Sequence, residues 1–155
     1  MRSGRRLGVD VGDVRVGVAT CDPDGMLATP VETIRAGNGC VQRIVELARE
    51  YDVIEIVVGL PVSLSGREGP AAAKVRAFAT DLVAAVSPVP IRLVDERMST
   101  MTADSHLRAS GMAGTNKQSG RKRRAVIDQA AATVILQTAL DAERMRNEPP
   151  GEGVR

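Results

Sequence analysis

Four carboxylates in this chain fall where packing alone would not place them: Asp10, the adjacent Asp95 and Glu96, and Asp128. Asp10 interrupts an apolar strand pattern, Leu7-Gly8-Val9-Asp10-Val11-Gly12, and Asp95-Glu96 closes the run Ile91-Arg92-Leu93-Val94. Asp128 shares a helical stripe with Ile127, Ala131, Ala132, Ile135, Leu136, Ala139 and Leu140. An unpaired buried carboxylate costs several kcal/mol, so a cation must compensate each one. If the fold brings them together, a divalent metal is the natural compensator. Hard oxygen donors suit Mg²⁺ or Mn²⁺, and two such ions can activate water and stabilise the leaving oxygen of a phosphodiester.

The elements that must position these acids are legible in part. Leu7, Val9 and Val11, then Val14, Val16 and Val18, alternate with small or polar residues around Gly12-Asp13, which suggests a hairpin with a II′-type turn. Pro23-Asp24-Gly25 marks a second turn, leading to an extended segment over 26–34. Val41, Ile44, Val45, Ala48 and Tyr51 recur at helical spacing. Val53 to Leu60 is a nearly continuous apolar run broken only by Glu55, as in a strand buried on both faces. Pro70 opens a helix reaching about Val86 with a stripe of Ala71, Val75, Phe78, Ala79, Leu82 and Val86. Ile91 to Glu96 is the last strand, a capped helix follows to about Ser110, residues 112–120 are a polar loop, and a final helix spans about 122–146.

The order β-β-β-α-β-α-β-α-α predicts an α/β fold. Its mixed five-stranded sheet has a three-stranded antiparallel meander plus two parallel strands, with helices on both faces. One domain is expected over residues 1–146, with a disordered, Pro- and Gly-rich tail at 147–155. In such a sheet the carboxyl ends of strands carry function, which is where Asp95 and Glu96 sit. Adjacent residues face opposite sides, so only one of them shares a face with Asp10; reach favours Glu96. Gly8 and Gly12, on Asp10's face, are expected to clear space for a ligand. A dinucleotide fingerprint is excluded, because a strand and not a helix follows the glycines.

Composition narrows the partners. Net charge is only +2, but five of the eight positions from Lys117 to Arg124 are basic: Lys117, Arg121, Lys122, Arg123 and Arg124. Such a run can grip a phosphate backbone through salt-sensitive contacts, and Arg15 and Arg97 can add to it. With Tyr51 and Phe78 as the only aromatics, base stacking is excluded as the main binding mode. Cys21 and Cys40 form neither a disulfide framework nor, with the single His106, a zinc pattern. No apolar run approaches a membrane span and no signal-peptide pattern is present, so a cytoplasmic protein is expected.

Four strings carry a more specific likeness: Gly8-Val9-Asp10-Val11-Gly12-Asp13-Val14-Arg15-Val16-Gly17-Val18-Ala19, Val58-Gly59-Leu60-Pro61, Asp95-Glu96-Arg97 and Asp128-Gln129-Ala130-Ala131-Ala132. In this order they resemble the blocks of the YqgF/RuvX family. The resemblance implies an RNase H-like fold, kin to RuvC-type Holliday junction resolvases. It also implies a metal-dependent nuclease acting in 5′-end maturation of precursor 16S rRNA or, in other members, on four-way DNA junctions as a homodimer. The family's acids then fall on Asp10, Glu96 (or Asp95) and Asp128. Two other classes compete. A phosphotransferase of the actin and hexokinase type shares an Asp-x-Gly hairpin but needs a second domain, and a binding or assembly factor would hold RNA without cutting it.

Overall fold

The computed structural model describes residues 1–96 and 120–154, apart from the side chains of 120–128. A six-stranded sheet forms the centre, in the order β3-β2-β1-β4-β5-β6. Its strands are β1 (Arg6–Val11), β2 (Arg15–Cys21), β3 (Ala28–Arg35), β4 (Glu55–Leu60), β5 (Ile91–Asp95) and β6 (Glu152–Val154). β1–β2 and β2–β3 are antiparallel, and β4 runs parallel to both β1 and β5. The expected helix after Ser99 and the polar loop 112–120 lie outside the described residues, except that Gly120 begins the last helix.

The alternation of side chains assigns two faces. Leu7, Val9, Val16, Val18, Ile56, Val58, Ile91 and Leu93 point to one core, shared with α1 (Cys40–Glu50) and α2 (Pro70–Val86). Ala19, Cys21, Ala28 and Val57 point the other way, against Ala132, Ile135, Leu136, Ala139 and Leu140 of α3 (Gly120–Arg146). β4 is buried along its whole length because it has a parallel neighbour on each edge and a helix layer on each face. On α2 the buried stripe is Ala72, Val75, Ala79, Leu82 and Val86, so Ala72 takes the place expected of Ala71.

Three expectations are corrected. The tail at 147–155 contributes a sixth strand, β6, antiparallel to β5 with Leu93 opposite Glu152 and Ile91 opposite Val154. It is pinned by the Arg92 guanidinium, which donates to the carbonyls of Pro150 and Gly151, and by a 2.7 Å ion pair between Arg76 and Glu152. Gly151 has a φ of 63°, and a Cβ there would stand 2.0 Å from the Leu93 carbonyl oxygen. The β1–β2 turn is not of type II′: Gly12 donates to Arg15 O at 3.0 Å and no residue from 12 to 14 has positive φ. Nor do Gly8 and Gly12 clear room for a ligand. A Cβ on Gly8 would lie 2.6 Å from Leu136 Cβ and 2.9 Å from Ala132 O, so this glycine admits the backbone of α3 instead.

Candidate active site

Asp10 lies near the carboxyl end of β1 on the α3 face, half-buried, with Gly17 of β2 directly opposite. On its other side the β1–β4 register, Gly8 to Val57 and Val9 to Val58, continues to bring Gly59 alongside Asp10. Glu96 follows β5 and extends the ladder by one bond, its N–H donating to Leu60 O at 3.2 Å. β1 and β5 are separated by β4, about 10 Å apart at the backbone. What closes the gap is Gly59. A Cβ there would stand 2.8 Å from Glu96 Oε2, so the Glu96 carboxylate lies in the space a side chain would otherwise fill.

The strand pleat separates the two acids that the sequence left as alternatives. Asp95 follows Ile91 and Leu93 onto the α1–α2 face and is exposed, whereas Glu96 falls with Arg92 and Val94 on the face of Asp10. The electrostatics agree with this placement. The Glu96 carboxyl is pushed up to about 7 from an ordinary 4.5, first by burial, then by the negative charges of Asp10 and Asp95. Burial is the largest cause, and the two neighbouring carboxylates act in the same direction.

Asp128 belongs to α3, and its backbone position follows from how that helix crosses β1. Glu143 of α3 meets Arg6 at the start of β1, and Leu136 and Ala132 meet Gly8. The helix therefore runs antiparallel to β1, and one further turn toward its N-terminus brings position 128 to the Asp10 end. The next residue is anchored there: Gln129 Nε2 donates to Thr33 Oγ1 of β3 at 3.0 Å. Thr33 pairs with Gly17, which pairs with Asp10. Among the described residues no three His, Cys, Asp or Glu side chains stand together as a complete metal site. The side chain of Asp128 is not among them.

Of the basic residues, Arg15 opens β2 on the same face as Asp10, two residues from Gly17. Arg121, Lys122, Arg123 and Arg124 occupy the first turns of α3, at that same end of the sheet. Arg97 and Lys117 lie outside the described residues, as does His106. Both cysteines are free and buried, Cys21 beneath α3 and Cys40 at the start of α1. Sequence reasoning missed Gly59, although a lone glycine inside a strand otherwise apolar is the usual sign of a close approach.

A second charged cluster lies at the opposite end of β1. Arg6 is 1% exposed, Glu55 1% and Glu143 3%. Arg6 pairs with Glu143 at 2.5 Å, and Arg2 bridges Glu143 at 2.6 Å and Glu55 at 3.1 Å. The Glu55 that breaks the apolar run of β4 thus has a structural partner. Its carboxyl is raised by burial, while Arg2 and Arg92 pull it back down.

A mixed sheet opened by an antiparallel meander, with acids at the carboxyl ends of β1 and β5, defines the RNase H-like class. A solved structure of RuvC from Thermus thermophilus in complex with a Holliday junction substrate shares this fold at a TM-score of 0.58, with 18% identity over 95% of this chain and 99% of that one. The family described as RuvX, Holliday junction resolvase, matches residues 4–142, and the chain belongs to it. It is 60% identical over 99% of its length to a Streptomyces coelicolor protein, 90% of which is covered, provisionally named as a pre-16S rRNA nuclease. A Thermobifida fusca protein of the same name is 57% identical over 98% of this chain and 96% of its own length.

Proposed function

We propose that this protein is a metal-dependent nuclease that hydrolyses phosphodiester bonds of structured nucleic acid, with the 5′ end of precursor 16S rRNA as its substrate and the cytoplasm as its setting. The observation that carries the reading is the placement of Asp10 and Glu96 on one face, with Glu96 in the space beside Gly59 and its carboxyl raised to about 7 by burial and then by the charges of Asp10 and Asp95. Among the described residues the charged groups acting on Glu96 are the carboxylates of Asp10 and Asp95, and hard carboxylate oxygens fit a hard divalent cation. Asp10, Glu96 and Asp128 would hold Mg²⁺ or Mn²⁺, with Asp95 outside the set on the far face. When bound, such ions supply an activated water and charge stabilisation for the leaving oxygen, in a two-metal arrangement.

The chain's own residues do the rest. Gly59, on the strand between the two acids, leaves the room in which the Glu96 carboxylate sits. Arg15 and the basic first turns of α3 would hold flanking phosphates; Arg97 and Lys117 would extend that grip. The names borne by the relatives support rRNA as substrate. A four-way DNA junction is the second reading, favoured by the family's description, and it requires a homodimer for two symmetric cuts. Competing roles separate in a single assay: a precursor rRNA 5′ end and a synthetic junction, each with Mn²⁺ and with Mg²⁺. Wild type cuts one of them, and Asp10→Asn, still folded, loses roughly 10³-fold in rate, the equivalent of about 4 kcal/mol. Binding without cleavage by wild type would leave an assembly factor.

A further inference from the structure

Three side chains of α3, about two turns apart, reach the β3 side of the sheet. Arg144 donates to the Gly25 carbonyl at 2.7 Å. Gln137 donates to the Met26 carbonyl at 3.0 Å and accepts from the Ala28 N–H at 2.8 Å. Gln129 donates to Thr33 Oγ1 at 3.0 Å. β3 runs in the direction of β1, so the helix descends along it from Gly25 to Thr33 as its own numbering falls. The first two anchors hold backbone groups far from the acids. The third joins two side chains in the row of Asp10, Gly17 and Thr33, and of the three it lies nearest position 128.

The packing shows why that third anchor matters. From Ile135 onward α3 buries large side chains, Ile135, Leu136 and Leu140, which interlock with the sheet. Between positions 129 and 133 the fully buried residue is Ala132, whose carbonyl oxygen would lie 2.9 Å from a Cβ on Gly8. A methyl resting on a glycine fixes the separation of helix and strand but hardly the helix's rotation. A turn of about 20° about the axis moves an atom ~6 Å from it by about 2 Å. Metal ligands must be held within about 0.5 Å of their productive place, and loss of a group that orients a ligand costs roughly 10–100-fold in metal affinity. We propose that Gln129 is a positioning residue: its bond to Thr33 fixes the rotation of α3 at the acidic end, and so holds position 128 where Asp128 can share a divalent ion with Asp10. This inference rests on the metal-dependent nuclease reading for the role of Asp128, and on the Gln129–Thr33 geometry for the positioning itself.

The test is a Mn²⁺ titration of the full chain without substrate, read by loss of the electron paramagnetic resonance signal of free Mn²⁺. Gln129→Leu should raise the dissociation constant about tenfold. Thr33→Val should do the same, Thr33→Ser should stay near wild type, and the double variant Gln129→Leu with Thr33→Val should be no worse than either alone. Gln137→Leu is the control for a helix that is merely loosened: it should lower the melting temperature at least as much as Gln129→Leu while binding Mn²⁺ as wild type does. In cleavage assays Gln129→Leu should need about tenfold more Mn²⁺ for half its maximal rate, with KM for nucleic acid unchanged and kcat recovered at saturating metal. Asp128→Asn separates the two readings. If it binds Mn²⁺ as wild type does, the metal role of Asp128 falls and the positioning role falls with it. If Asp128→Asn loses Mn²⁺ but Gln129→Leu does not, only the positioning role falls. An equal loss in Gln137→Leu, or additive losses in the double variant, would also overturn it.

Discussion

The two ends of the β1–α3 pair bury carboxylates in opposite ways. At the start of β1, Glu55 and Glu143 are almost wholly enclosed, and Arg2 and Arg6 meet them at 2.5–3.1 Å. At the finish of β1, Glu96 is gathered with Asp10 and Asp95, and all three causes acting on it raise its carboxyl. Burial raises Glu55 too, but there Arg2 and Arg92 oppose it. Where charge serves the fold, the chain supplies its own cation. Among the described residues, the charged groups acting on Glu96 are carboxylates, and that difference sets the two ends apart more sharply than burial alone.

Breaking a buried ion pair by removing one partner leaves the other charge uncompensated. Glu143→Gln should therefore destabilise by about 3–5 kcal/mol in urea unfolding, the largest effect expected on stability. Arg6→Met with Glu143→Leu should restore much of it, since an apolar pair of similar size often replaces a buried ion pair at little cost. The restored protein should cut nucleic acid as wild type does, because these charges hold the helix and not the substrate. A double variant that is stable but inactive would erase the contrast between the ends.

Gly59 sharpens the same comparison at the acidic end. A Cβ there would meet Ile135 Cδ1 at 2.6 Å and Glu96 Oε2 at 2.8 Å. Gly59→Ala should cost about 1–3 kcal/mol from overpacking. It should also reduce metal-dependent cleavage, because the Glu96 carboxylate must move away from Asp10. Gly59→Ala with full activity would show that Glu96 does not need that position.

The core elements were legible because their signals are local. β1 and β2 alternate around a tight connection, β4 reads as continuously apolar, and Pro70 announces α2. Asp10 and the Asp95-Glu96 pair stood out by interrupting or ending such patterns. What stayed hidden depends on partners distant in sequence. Glu55 was visible as an interruption, but Arg2 and Glu143, which explain it, lie 141 positions apart. β6 has three residues in a Pro- and Gly-rich stretch that reads as disorder, and only Arg92, Arg76 and the edge of β5 make it a strand. Gly8 was noticed for the right reason, close approach, and assigned to the wrong occupant. The choice between Asp95 and Glu96 needed the pleat of β5, which one residue of slip would have reversed.

Protonation offers a gentler probe. Glu96 holds its proton in the folded state up to about 7 but loses it near 4.5 when unfolded. Between those values the folded state binds more protons, so stability in the absence of metal should fall as pH rises from about 4.5 to 7 and level off above. Divalent ions compete with that proton, so their affinity should climb over the same window. Glu96→Gln should flatten both trends.

The most direct test of the contrast is thermal unfolding of wild type and Glu96→Gln at pH 8, in a chelator and in millimolar Mn²⁺. Wild type should gain stability with Mn²⁺ by mass action. Glu96→Gln should match or exceed the metal-free wild type, because an uncompensated charge has been removed, and should lose most of the Mn²⁺ gain. A variant that is less stable than wild type in chelator, yet stabilised by Mn²⁺ to the same extent, would contradict the account.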